Sequence, residues 1–88
     1  MLFIYPEPEI LVFWMKNTLI PLSIAFFNSK KEIINILDMD PPKGKELKRY
    51  RSQGPALYAL EVPQGWFERH GIEPGAKFSF LDPANRLQ

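Results

Sequence analysis

LSIAFF-NSKK-EIINILDM, Leu22 to Met39, carries the clearest signal of the architecture. In an extended chain successive side chains point to opposite faces, so Leu22, Ile24 and Phe26 share one face and Ser23, Ala25 and Phe27 the other. Asn28-Ser29-Lys30-Lys31 is a polar break between two apolar runs, and asparagine tolerates the left-handed backbone region, so the break reads as a hairpin turn. Glu32 to Met39 is the returning strand. Alternation sets Ile34, Ile36 and Asp38 on one side, with Ile33, Asn35, Leu37 and Met39 on the other. Apolar residues on both faces of both strands predict a hairpin held inside a sandwich or barrel.

The flanks extend the pattern. Upstream, Met1 to Tyr5 reads as a short apolar strand that stops at Pro6, and Pro6-Glu7-Pro8-Glu9 as a turn, because proline donates no ladder hydrogen bond. Ile10 to Lys16 is β-branched and aromatic, hence a second strand. Downstream, Asp40 to Pro55 carries Pro41, Pro42, Gly44 and Gly54 around Lys43, Lys45, Lys48, Arg49 and Arg51, and reads as a long, exposed basic loop. Leu57 to Val62 resumes a strand. Pro63 to His70 reads as the one helix, capped by Gly71 with Ile72 folding back in the Schellman manner. Pro74-Gly75 has type II turn chemistry. Lys77 to Leu81 is the last strand, and residues 82–88 form a polar tail. The sum is a single mainly β domain over residues 1–88, a small antiparallel β-sandwich or jelly-roll-like barrel with one short helix.

Composition narrows the chemistry. The chain has 88 residues, no cysteine and one histidine, which excludes disulfides, thiolate metal sites and a multi-histidine metal site within the chain. No cofactor is expected. The net charge of +1 argues against nucleic acid as a partner. The longest strongly apolar stretch, Leu19 to Phe27, contains Pro21 and is too short to span a bilayer.

Phe13-Trp14-Met15-Lys16-Asn17-Thr18, Pro21 and Ile24-Ala25-Phe26-Phe27 resemble the signature of the domain-of-unknown-function family numbered 192. Ser52, Pro55-Ala56, Tyr58-Ala59-Leu60-Glu61-Val62, Gly65-Trp66, Gly71-Ile72 and Gly75 are similar to that family's second half, in the same order and spacing. The resemblance covers Met1 to about Leu81. It implies a compact, jelly-roll-like β domain of bacterial or archaeal origin, and it brings no established activity or catalytic residue. Members of the family often carry an export signal or lipid anchor, so the implied location is periplasmic or extracellular if such a signal lies upstream, and otherwise cytoplasmic. Members also have a strand and a helix before the position of Met1. Without that strand a sheet edge is left open, and a second copy of the chain could cover it as a homodimer.

Two groups of side chains are candidates for function. Trp14 and Lys16 share a strand face, where an indole and an ammonium can hold a saccharide or another small ligand, with Asn17 orienting it. The structural alternative has Trp14 in the core, Lys16 extended to water and Asn17 closing a turn. Tyr50, Ser52 and Glu61 form the second group. Glu61 is a carboxylate in an apolar strand, and pairing with Lys16 would create a polar focus. Asp38, Asp40 and Glu32 could approach a hard cation, but they read as loop-entry carboxylates. His70 reads as a helix-end cap. No serine–histidine–aspartate set or glycine-rich phosphate loop is present. The reading is a non-catalytic ligand- or protein-binding module. The alternative is a small hydrolase-like enzyme built on Lys16 and Glu61.

Overall fold

A computed structural model describes residues 1–15, 19–45 and 47–78. Lys16, Asn17 and most of the expected last strand lie outside them. The chain is mainly β. Its central sheet has four antiparallel strands in the order β1 (Leu2–Glu9), β6 (Ala56–Pro63), β3 (Leu22–Phe27), β4 (Ile33–Met39). A second sheet pairs β2 (Val12–Trp14) with β5 (Arg49–Arg51), also antiparallel. One helical turn, α1 (Trp66–Arg69), follows β6.

The β3–β4 hairpin forms where the alternation places it, and both faces of β3 are covered. On one face Ile24 and Phe26 pack with Met39, Ala59, Leu11 and Met15 beneath the small sheet. On the other, Ala25 and Phe27 pack with Ile33, Leu60, Phe67 and Phe78 beneath α1 and the chain that follows it. The result is three layers: small sheet, central sheet, helix. Edge-on aromatic contacts lock the layers. Phe13 meets Phe3 at 5.0 Å and Phe26 at 5.8 Å, while Phe27 meets Phe78 at 5.0 Å. No helix among the described residues is long and apolar enough to cross a membrane.

Five local expectations are corrected. β1 does not stop at Pro6 but continues to Glu9. It is an edge strand, and its register slips between Ile4, opposite Tyr58, and Glu9, opposite Ala56, so the prolines occupy a bulged arch that needs few ladder donors. The basic loop is not wholly a loop, because Arg49-Tyr50-Arg51 pairs with β2. In the hairpin turn Lys31, not Asn28, takes the left-handed conformation (φ 65°). Asn28 instead accepts the amide protons of Lys30 and Glu32 through Oδ1. Strict alternation fails in β4, where Phe26 faces Asn35 but Phe27 faces Ile33. The extra residue, Ile34, joins Asn35 on the small-sheet side. The helix is one turn rather than Pro63 to His70, because Pro63 still pairs with Leu22 at the end of β6.

Other turn chemistry holds. Gly71 has φ 65°, and Ile72 and Gly71 donate to the Phe67 and Glu68 carbonyls at 2.9 and 3.1 Å, the Schellman pattern. Ala76 donates to the Glu73 carbonyl at 3.1 Å across Pro74-Gly75. Lys77 makes a single antiparallel bridge to Glu32, while Ser79 to Leu81 fall outside the described residues.

Candidate functional site

The small sheet sorts the candidate residues by pleat. Val12 faces Arg51, Phe13 faces Tyr50 and Trp14 faces Arg49 across the ladder. The ladder continues where the Ser52 amide donates to the Leu11 carbonyl at 3.0 Å. Leu11, Phe13, Met15, Tyr50 and Ser52 therefore turn toward the central sheet. Val12, Trp14, Arg49 and Arg51 turn outward. Trp14 is 46% exposed, with the Arg49 guanidinium 5.3 Å from its ring centroid. Trp14 and Tyr50 thus lie on opposite faces of one ribbon.

Ser52 is buried, and its Oγ accepts the Leu11 amide proton at 3.0 Å. That hydroxyl holds the end of the ribbon. Beside it, buried Asn35 reaches from β4 to β5. Its Nδ2 donates to the Arg51 carbonyl at 3.2 Å, and its Oδ1 accepts the Gln53 amide proton at 3.1 Å. Asn35 reads in sequence only as one inward position of β4. The signal that could have singled it out is an asparagine amid isoleucines on a buried face, since such a group needs polar partners.

Glu61 lies half-buried on β6, opposite Ile24. Burial raises its carboxyl above the usual range, and the nearby amino terminus pulls it partly back. Tyr5 is its neighbour: burial first, then the charges of Glu9 and Glu61, push the phenol upward. The Lys16 partner expected for Glu61 lies outside the described residues.

The three carboxylates weighed as cation ligands accept from neutral groups. Asp38 accepts from the Ser23 hydroxyl at 2.9 Å, Asp40 from the Gln64 amide at 3.1 Å, and Glu32 from the Asn28 amide at 3.1 Å. Among the described residues no three histidine or carboxylate groups gather as metal ligands. His70 caps α1, with Nδ1 2.7 Å from the Trp66 carbonyl and its ring stacked on Trp66 at 4.2 Å.

A cavity of about 250 Å³ opens where β2 and β5 meet the chain leaving β4. Met15, Tyr50, Pro41, Pro42 and Leu47 line it together with Lys43, Lys48 and Asp40. It adjoins the Trp14–Asn17 block in sequence and contains one of the expected site residues, Tyr50. A shallower hollow of about 430 Å³ lies on the helix side, bordered by Ser23, Asp38, Gln64, Glu68 and Glu73.

A family model, DUF192, described as an uncharacterized ACR, matches residues 1–80. No curated protein matches the chain. Two solved structures are similar to it. A protein of unknown function from Novosphingobium aromaticivorans DSM 12444 is 35% identical, with a TM-score of 0.76 over 88% of this chain and 54% of that one. A protein from Sinorhizobium meliloti 1021, described as a proposed transcription regulator, is also 35% identical, with a TM-score of 0.73 over 85% of this chain and 57% of that one. The chain spans a little over half the length of the structures it matches.

Proposed function

We propose, from the premise that this chain belongs to the uncharacterised DUF192 family, that it is a non-catalytic module binding one small ligand in the cavity beside Tyr50. The observation that carries this reading is the lining. An apolar and aromatic wall of Met15, Pro41, Pro42, Leu47 and Tyr50 is topped by two ammonium groups and one carboxylate. Such a lining favours a compact ligand with an apolar or ring face and an anionic group. At about 250 Å³ the cavity is smaller than the roughly 300–1,000 Å³ of drug-sized clefts, which suits a single sugar acid or sugar phosphate.

The non-catalytic part of the reading rests on how the reactive side chains are used. Ser52 is buried against the Leu11 amide, and His70 is committed to Trp66. Glu61 has the amino terminus as its charged neighbour, and neither lines the cavity.

Thermal shift with glucuronate and glucose 6-phosphate, against neutral glucose, tests the proposal. A millimolar dissociation constant with about 10 mM ligand stabilises by roughly 1.4 kcal/mol, hence by several degrees in Tm for a chain of this size. Tyr50→Ala should abolish the shift while leaving a cooperative melt. Equal responses to glucose and to the anions, or none to any, would overturn the reading.

A further inference from the structure

The whole-chain charge hides a strong segregation. Between Pro41 and Leu60 lie five of the eleven basic residues and one of the ten acidic ones, leaving an excess of acid in the rest of the chain. The five are Lys43, Lys45, Lys48, Arg49 and Arg51, and all are exposed. Arg49 and Arg51 stand on the outer face of the ribbon, two residues apart and so about 7 Å from each other along the strand. Across the ladder on that face stand Trp14, opposite Arg49, and Val12, opposite Arg51, each nearly half exposed. Arg49 covers part of the indole, and the exposed remainder is open to a second planar group. The pleat turns Trp14, Arg49 and Arg51 away from Tyr50, and the two surfaces share only Lys43 and Lys48.

We propose that the outer face of the β2–β5 ribbon binds single-stranded nucleic acid without sequence preference. An exposed indole beside guanidinium groups provides a stacking platform that accepts any base. Arginine adds a planar cation that both stacks on bases and forks onto phosphate oxygens. Exposed Lys48, next to Arg49 in the chain, and Lys43, both at the Tyr50 cavity, add positive charge to the same segment. A duplex fits less well, since its bases are already stacked and a three-residue ribbon offers one aromatic ring. A sulfated or carboxylated polysaccharide would meet the same cations and could lay a C–H face on Trp14, so heparin is the competitor against which base stacking is measured.

The test is fluorescence anisotropy of a labelled oligothymidylate of about fifteen nucleotides with the full chain in low salt. Micromolar binding is expected, with log K falling against log salt at a slope of about −2 to −3.5 for three to five phosphate contacts. Trp14→Ala should weaken binding between roughly five- and 150-fold, the range of one lost stack. Because Trp14 is exposed, its replacement should preserve the melt. In a Trp66→Phe background, quenching of the remaining tryptophan reports base contact directly. Arg49→Gln with Arg51→Gln should flatten the salt slope. Absence of binding in low salt overturns the proposal. So does equal affinity for an abasic oligonucleotide or heparin with no effect of Trp14→Ala, which would assign the face to polyanions in general.

Discussion

Ser52 shows how a hydroxyl that suggests chemistry in sequence serves architecture instead. Its Oγ is the acceptor for a buried amide, so Ser52→Ala leaves the Leu11 N–H without that partner. The expected loss is about 1–3 kcal/mol, read as a lower denaturant midpoint with unchanged slope. A change within about 0.5 kcal/mol, the range of an ordinary surface substitution, would mean that the hydroxyl is not needed there. Glu61 makes a prediction of opposite sign. Its carboxyl is raised in the fold, chiefly by burial, so the proton binds the folded state more tightly than the unfolded one. That contribution is complete below the ordinary carboxylate pKa and is lost as pH rises through the raised one. Glu61→Gln should therefore increase Tm at pH 7 and leave it nearly unchanged at pH 3.5. A variant less stable than the parent at pH 7 would show that attraction to the amino terminus outweighs burial.

At the scale of elements, the small sheet depends on what it rests on. A two-stranded ribbon is marginal alone, and this one is held by Phe13 between Phe3 and Phe26 and by Asn35 from below. Asn35→Ala removes two hydrogen bonds and strands the Gln53 amide, at an expected cost of about 2–3 kcal/mol. Hydrogen exchange should localise the damage, with protection falling in Arg49–Arg51 more than in Leu22–Phe27. Uniform loss across both sheets would contradict the idea of a local rivet. The bulge at Ile34 belongs to the same design, because it turns Ile33 toward Phe67 and Phe78 while Asn35 faces the ribbon.

At the scale of the molecule, the central sheet buries both faces but leaves β1 with no neighbour on its outer side among the described residues. Its exposed Leu2 and Ile4 would favour association, whereas Pro6 and Pro8 remove two ladder donors and mark the bulged half. Replacing both prolines by threonine should increase self-association, visible as concentration-dependent sedimentation. Unchanged sedimentation of the double variant would show that the prolines do not guard this edge. The homodimer expected through the same edge is a proposal that the parent protein tests in that experiment.

The β class, the β3–β4 hairpin and the turns at Gly71 and Pro74-Gly75 are legible in the residues alone, because alternation and local backbone chemistry act over a few residues. The signature around Trp14 and the second block from Ser52 to Gly75 likewise sufficed for the family. That Arg49–Arg51 is a strand follows only from its pairing, since its partner β2 lies about 35 residues earlier and one tyrosine between two arginines is too short a run to establish a period. Pairing also set Trp14 outward and Tyr50 inward, so that the two belong to different surfaces. Asn35 acquired its role in the same way, because a buried amide is defined by the groups it reaches, here the Arg51 carbonyl at the end of β5 and the Gln53 amide just after it, 16 and 18 residues along the chain.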